Sequence, residues 1–279
     1  MVSKLSGLLL AVAICAAPAL AADVKNPLVD GETWAELKGD VVGDAQILDG
    51  SALIALDAPY RAHDAATVPV RITQASGSTE RIVRLTLVID ENPAPVVAEF
   101  DFGPAMGRLD LETRVRVNQY SNIRAIAETA DGRLWMTGRY VKGSGGCSAP
   151  ALKDAEAALA ATGKMRLKLF KMAEVGAAQP ARSGGRREAQ VMIRHPNYSG
   201  MQRNQVTQLF IPAYFIDEID VFLGDGRLFH MIGGISISED PSFRFSYDDN
   251  GAVEFRVRAR DTDGGRFEKT FPVGTDPAS

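Results

Sequence analysis

Alternating apolar and polar residues predict β-strands along most of the chain. Residues 98–102 read Ala-Glu-Phe-Asp-Phe, and residues 111–117 read Leu-Glu-Thr-Arg-Val-Arg-Val. A two-residue period places one face of a strand in a core and the other in water, so Arg116 is predicted to face solvent. Further strands are predicted at residues 67–73, 82–90, 123–129, 133–141, 165–170, 189–195, 205–212, 216–223, 227–237, 243–247, 252–260 and 266–273. The first half is therefore predicted to be an antiparallel sandwich.

Helices and turns occupy little of the remaining sequence. Good helix formers predict helices, and clusters of Gly, Asp, Asn, Pro or Ser predict turns and loops. Helices are predicted at residues 32–38, 44–48 and 153–161, hairpin turns at residues 224–226 and 248–251, and a solvated loop at residues 176–187. The predicted fold class is all-β.

Residues 1–21 have the pattern of a secretory signal peptide. Lys4 is the positive residue, residues 5–17 are apolar, and residues 19–21 read Ala-Leu-Ala, a small-x-small cleavage site. The alternative is a lipoprotein acylated on Cys15, but Ile14 precedes it where a small residue is expected. We therefore expect export, and no later apolar run approaches the length of a membrane span, about 18 residues.

Charge and cysteine content narrow the function further. The 279-residue chain has a net charge of -4 and an isoelectric point near 5.5, which argue against a nucleic-acid partner. Of its two cysteines, only Cys147 follows the predicted cleavage site, so no intramolecular disulfide is expected. A lone thiol in an oxidising compartment is buried, paired between chains, or used.

Small residues surround this cysteine. Residues 140–150 read Tyr-Val-Lys-Gly-Ser-Gly-Gly-Cys-Ser-Ala-Pro and predict an exposed, mobile arm. The arm residues are Gly143, Ser144, Gly145, Gly146 and Ser148, with Lys142 as candidate support for a thiolate. The alternative is a free thiol tucked under the following helix, or a non-native dimer disulfide.

Other chemistry is weakly indicated. His63, His195 and His230 are scattered without ligand spacing, so neither a metal nor another cofactor is expected. His195, before Pro196, is interpreted as a turn residue that bonds the backbone; the alternative is that it shapes the domain interface or the arm's resting place. Residues 248–251 suggest calcium less strongly than a hairpin turn.

Several motifs resemble a known family. In the second half these are residues 194–200 (Arg-His-Pro-Asn-Tyr-Ser-Gly), 211–216, 237–243 and 261–265, which resemble SoxZ. In the first half, residues 58–62, residues 67–70 and the Gly-Gly-Cys that ends at Cys147 are similar to SoxY, which carries sulfur intermediates on a cysteine. Together they resemble fused SoxYZ-like carriers associated with periplasmic quinoprotein (PQQ-type) dehydrogenases. In the two-chain carrier the cysteine lies in a Gly-Gly-Cys-Gly-Gly tail, whereas here Ser148 and Ala149 follow it and the chain continues.

The resemblance implies two immunoglobulin-like sandwiches and a periplasmic carrier that is not an enzyme. The expected division is a SoxY-like domain at 22–141, the cysteine arm and short helix at 142–164, and a SoxZ-like domain at 165–279. Expected partners are periplasmic redox enzymes: a PQQ-type dehydrogenase, or Sox-type enzymes and c-type cytochromes.

Three functions are weighed. The first is a carrier of a sulfur-containing or other thiol-reactive intermediate on Cys147. The second is a non-catalytic partner or maturation factor of a quinoprotein dehydrogenase, in which the thiol is not essential. The third is a thiol hydrolase or sulfurtransferase, which a flexible arm disfavours because it holds no rigid base or oxyanion hole.

Overall fold

The computed structural model describes residues 26–150, 155–170 and 185–273. The predicted signal peptide at residues 1–21 lies outside these residues, and so does most of the predicted loop at residues 176–187. Within the described residues, no helix is both long and apolar enough to cross a membrane.

The described chain is nearly all β, as the alternation predicts. Its strands are β1 (Ile47–Asp49), β2 (Ile54–Asp57), β3 (Val68–Gln74), β4 (Ile82–Ile89), β5 (Val96–Phe102), β6 (Asp110–Val115), β7 (Ser121–Thr129), β8 (Leu134–Val141), β9 (Met165–Phe170), β10 (Arg186–Ile193), β11 (Ile216–Leu223), β12 (Gly226–Gly233), β13 (Ser242–Asp248), β14 (Glu254–Asp261) and β15 (Arg266–Pro272). Helix α1 (Glu32–Val42) precedes β1, a short 3-10 helix (Pro104–Met106) follows β5, and helix α2 (Ala155–Ala160) separates β8 from β9.

The strands form two sheets, and both sheets run through the two halves of the chain. The larger sheet has the order β1-β8-β7-β4-β5-β12-β11-β14-β15, and the smaller has the order β2-β3-β6-β13-β10-β9. In the larger sheet β5 pairs antiparallel with β12, from Phe102 opposite Phe229 to Ala98 opposite Gly233. In the smaller sheet β6 pairs with β13. The two sandwich domains are therefore joined edge to edge by backbone hydrogen bonds.

An aromatic cluster fills the core where the halves meet. Phe229 lies 6.0 Å from Phe100 and 5.2 Å from Phe245, measured between ring centroids. Phe243 lies 6.1 Å from Phe100, so rings from both domains share one core. Edge-to-face pairs at these distances add to the stabilisation that comes from burying the rings.

Buried polar contacts tie the same junction. Asn92 donates a hydrogen bond to Ser236 at 2.9 Å, and Ser238 donates one to the carbonyl of Ala66 at 2.7 Å. Each bond joins the first domain to the second and satisfies polar groups that burial would otherwise penalise. Within the first domain, Arg124 forms a buried ion pair with Asp90 at 2.8 Å.

Four predictions of secondary structure have clear outcomes. The hairpin at residues 224–226 is confirmed, since it joins β11 to β12. The helix at 44–48 is wrong, because residues 47–49 pair in parallel with β8 as β1. The strand at 205–212 is wrong, because Asn204 accepts backbone hydrogen bonds at 2.9 Å from Val206 and Thr207 and folds the segment into a loop. The hairpin at 248–251 is also wrong, because it connects β13 of one sheet to β14 of the other.

The shared core predicts that the two halves unfold together. Phe229→Ala in the second domain should cost about 3–5 kcal/mol of unfolding free energy, since it empties a fully buried ring site. Trp34 and Trp135, the two tryptophans, both lie in the first domain, so their fluorescence should report this loss in a urea titration.

The control is Val253→Ala, also in the second domain, where the side chain is 74% exposed. It should leave the tryptophan midpoint unchanged. If Phe229→Ala left the urea midpoint of tryptophan fluorescence unchanged, the two domains would unfold independently.

Candidate functional site

The cysteine segment, residues 143–149, is docked between the two domains. It leaves the end of β8 and is held first by the first domain. The Gly145 amide donates to the carbonyl of Asn118 at 2.8 Å, and the Gly146 amide donates to that of Val117 at 3.0 Å. These bonds fix the two residues before Cys147, at the start of a turn that the Ser148 amide closes by donating to the carbonyl of Gly145 at 3.1 Å.

The second domain holds the other side of the segment. The Ser199 hydroxyl donates to the carbonyl of Cys147. Gln202 donates through Nε2 to the carbonyl of Ala149 at 3.0 Å. Residues far apart in sequence thus clamp the cysteine from both domains.

The seat of Cys147 is the site between the domains formed by Val117, Asn118, Ser199 and Gln202. Glycines allow the backbone to approach closely there. A Cβ on Gly146 would lie 2.1 Å from the carbonyl oxygen of Ala65 and 2.7 Å from that of Val117, so no larger residue fits without a shift. Gly145 has φ +76°, a left-handed conformation that glycine adopts at little cost.

The prediction of an exposed, mobile arm is therefore wrong for this conformation. Cys147 is 0% exposed. The sequence interpretation took the glycines as sources of flexibility. Gly146 instead fits tightly against other backbone atoms, Gly145 adopts a left-handed conformation, and the amides of both are hydrogen-bonded. Of the predicted arm residues, Ser144 and Ser148 remain exposed at the surface.

A buried arginine lies against the cysteine segment. Arg116, just after β6, is 2% exposed, and its Nη1 donates to the carbonyl of Gly146 at 3.1 Å. Its Nη2 donates to the carbonyl of Asn197 at 3.2 Å, in the second domain. Its Nε has no hydrogen-bond partner, and no ion pair joins Arg116 to a carboxylate among the residues that the structure describes.

Burial controls the ionisation of the thiol. Burial raises the pKa of Cys147 from its ordinary value of 9.0 to about 11, and the positive charge of Arg116 opposes this rise. Burial also lowers the pKa of Arg116, which the negative charge of an ionised Cys147 would raise. The docked cysteine is therefore a neutral thiol at neutral pH.

Lys142 has a different contact from the one predicted. Its Nζ lies 4.9 Å from the centre of the Tyr60 ring. The hydrogen bond from Lys142 is the main cause of a lowered pKa of Tyr60. The cation whose charge acts on Cys147 is Arg116, which the alternating pattern had placed on the solvent face.

His195 organises the part of the second domain that touches Arg116. It is buried, and its Nδ1 accepts a hydrogen bond from the Asn197 amide at 3.1 Å, which confirms the predicted turn role. Its Nε2 lies 3.6 Å from Asp261, to which the Tyr214 hydroxyl donates at 2.9 Å. Burial lowers the pKa of His195, against the opposing effect of Asp261.

Two family models match this chain. The model of sulfur oxidation protein SoxY matches residues 38–147, so its match ends at Cys147. The model of sulphur oxidation protein SoxZ matches residues 175–272. The chain is a fused SoxYZ-like protein. It belongs with the Sox-type sulfur carriers, and its halves are hereafter the SoxY domain and the SoxZ domain.

Several solved structures match parts of this chain. A structure of the sulfur carrier protein SoxY from Chlorobium limicola f thiosulfatophilum is 24% identical, with a TM-score of 0.34, and the match covers 40% of this chain and 96% of that one. A superoxide reductase (neelaredoxin) from Ignicoccus hospitalis is 15% identical, with a TM-score of 0.29, and covers 32% of this chain and 78% of its own. The comparison with curated proteins gives no match.

One group of metal-ligand types occurs among the described residues, on the outer face of the SoxZ domain. Glu218, Asp220 and His230 place their ligand atoms within 4.8 Å of one another. Arg260 pairs with Glu218 at 3.0 Å, and Arg227 lies 3.7 Å from Asp220. These arginines supply the positive charge that a cation would supply.

An open pocket of about 580 Å³ adjoins the cysteine segment. Ser148, Met201 and Phe210 contribute to its lining. Phe210 is 61% exposed, and Val206 on the same loop is 90% exposed. Sequence reasoning missed this surface because the loop was interpreted as a strand.

The pKa of the docked thiol predicts slow alkylation. Because its pKa is raised from 9.0 to about 11, the docked thiol at pH 8 has about one hundredth of the thiolate fraction of an exposed thiol. Iodoacetamide should therefore modify Cys147 about 100-fold more slowly in native protein than in urea, as measured by mass spectrometry of the peptide containing Cys147. Equal rates would contradict the docked conformation.

The sign of the pH effect follows from the raised pKa. The neutral thiol stabilises the docked conformation relative to the undocked one. This stabilisation is fully present below pH 9 and is lost as the pH rises from 9 to about 11. The ratio of urea to native rates should accordingly fall across that range.

Gly146→Ala should undock the segment, because its Cβ would meet backbone atoms. The loss of roughly two hydrogen bonds at about 1 kcal/mol each should raise the alkylation rate at pH 8 by on the order of tenfold or more. Gly77→Ala is the matched control, since open space surrounds that glycine. An unchanged rate in Gly146→Ala would mean that the segment is seated by other contacts.

Proposed function

We propose that this SoxYZ-like protein is a periplasmic carrier that holds a sulfur-containing or other thiol-reactive intermediate on Cys147 and presents it to partner enzymes. The observation that carries the proposal is the docking of Cys147, at the end of the SoxY match, in a seat built by both domains. In this seat the thiol is buried and neutral, so loading requires the segment to open.

Opening is feasible at modest cost. Among the described residues, five hydrogen bonds join residues 143–149 to the rest of the protein. Their donors are the amides of Gly145 and Gly146 and the side chains of Ser199, Gln202 and Arg116. Each contributes about 0.5–1.5 kcal/mol net, so opening costs roughly several kcal/mol and leaves the sheets intact. Once open, the six residues from Val141 to Cys147 extend up to roughly 20 Å, enough to reach into a neighbouring enzyme.

The chemistry needs other proteins. In the thiosulfate case, the Cys147 thiol and thiosulfate form Cys–S–S–SO₃⁻, releasing one proton and two electrons to c-type cytochromes. A separate hydrolase then adds water, releasing sulfate and two protons and leaving a persulfide anion on Cys147. The raised pKa of Cys147 is opposite to that of a thiol-enzyme nucleophile, which supports a carrier role.

A second candidate function is supported by the same burial. A structural thiol is also buried and neutral, as expected of a non-catalytic partner or maturation factor of a PQQ-type quinoprotein dehydrogenase. In that case Cys147→Ser would retain function in the host.

Two measurements separate these functions. Protein isolated from the periplasm of its host should carry a mass adduct on Cys147 that a reductant removes. Cys147→Ser should lose both the adduct and complementation of the deletion strain, whereas Ser144→Ala, at an exposed position of the same segment, should keep both. Full complementation by Cys147→Ser would reject the carrier function.

The same preparation tests location. The isolated protein should begin at or near Ala22, as expected if residues 1–21 are a signal peptide, and should be recovered in the periplasmic fraction. A chain that retains residues 1–21 in the cytoplasm would contradict the proposed location.

A further inference from the structure

Arg116 is a buried cation that no carboxylate of the described residues contacts as an ion pair. Removing a guanidinium from water costs free energy, and proteins usually offset that cost with a carboxylate. Here two carbonyl oxygens accept from Nη1 and Nη2, and the buried Nε has no partner. Glu239 and Asp64 raise the pKa of Arg116 electrostatically, but neither is in ion-pair contact with it among the described residues.

The position of this cation relates it to whatever Cys147 carries. The guanidinium donates to the carbonyl of Gly146, the residue before Cys147. An ionised Cys147 would act on Arg116 more strongly than Glu239 or Asp64 does. A guanidinium has five N–H donors, and the hydrogen bonds of Arg116 to the carbonyls of Gly146 and Asn197 engage only Nη1 and Nη2. Donors thus remain for an anion attached to the cysteine sulfur.

We propose that Arg116 is the binding residue for the negative charge of the group on Cys147, with an S-sulfonate type anion as its ligand class. An anionic adduct then docks more firmly than a neutral thiol or a neutral disulfide. The inference rests on the proposed carrier function and adds to it a rule: the charge of the adduct determines how long the segment stays docked.

Methanethiosulfonate reagents test this rule directly. The Cys147 thiolate displaces methanesulfinate from each reagent and forms a disulfide with the transferred group. The 2-sulfonatoethyl, 2-hydroxyethyl and 2-(trimethylammonio)ethyl reagents give adducts that are anionic, neutral and cationic but have the same two-carbon arm. Complete labelling is checked by intact mass.

The readout is the rate at which dithiothreitol releases each adduct. Dividing the rate in urea by the rate in native protein gives a protection factor, which cancels the intrinsic reactivity of each disulfide. The sulfonate adduct should have a protection factor on the order of tenfold above that of the hydroxyethyl adduct, equivalent to about one charge-assisted hydrogen bond. The cationic adduct should be the least protected.

Variants locate the effect at Arg116. The preference for the sulfonate should disappear in Arg116→Gln and persist in Arg116→Lys, which keeps the charge. Arg114→Gln is the matched control: Arg114 lies two residues earlier on β6 and donates to the carbonyl of Asp240 at 3.1 Å. It should leave the preference unchanged.

A purely structural role for Arg116 predicts a different result. If the arginine only joins the carbonyls of Gly146 and Asn197, the three adducts should have equal protection in the unaltered protein, and that result overturns the inference even if Arg116→Gln does not fold. A Cys147 adduct found in protein from the host, together with equal protection factors, would preserve the carrier function and reject the role of Arg116. Full function of Cys147→Ser would instead reject the carrier function itself.

Discussion

The pairing of β5 with β12 and of β6 with β13 is the constraint on which the site depends. Backbone hydrogen bonds in two sheets fix the SoxY and SoxZ domains in one relative position, and the aromatic core behind them resists sliding. Only in that position do Val117 and Ser199, from different domains, hold the same short segment. The seat of Cys147 is thus a property of the domain junction and of neither domain alone.

Much of this architecture could be predicted from alternation. Strands such as β11, predicted at the same bounds at which it occurs, have one buried face, and the two-residue period shows it directly. The junction could not be predicted, because the period tells which face of a strand is buried but not which strand is its neighbour. The strand predicted at residues 205–212 is wrong for a related reason, since apolar residues do not always face a core. Val206 and Phe210 are apolar, yet they lie on an exposed loop.

The candidate site was predicted in part. Cys147 was identified from composition, but its burial was not predicted. A glycine in a flexible segment and a glycine packed against another stretch of backbone look alike in sequence. Gly146 is of the second kind. Arg116 was assigned to solvent because it alternates with Val115 and Val117, and that face is instead covered by the SoxZ domain near Asn197. Contacts between domains overrode a correct local pattern.

The position of Cys147 within the chain constrains any enzyme that receives it. A thiol at a free terminus threads into a closed tunnel as a single strand. Here the chain returns through Pro150 towards α2, so a partner must admit a doubled strand, roughly 5 Å between backbones before side chains are added. Under the carrier function proposed above, the catalytic centre of such an enzyme lies in a cleft wide enough for a loop of chain, since a tube that fits one strand would exclude it.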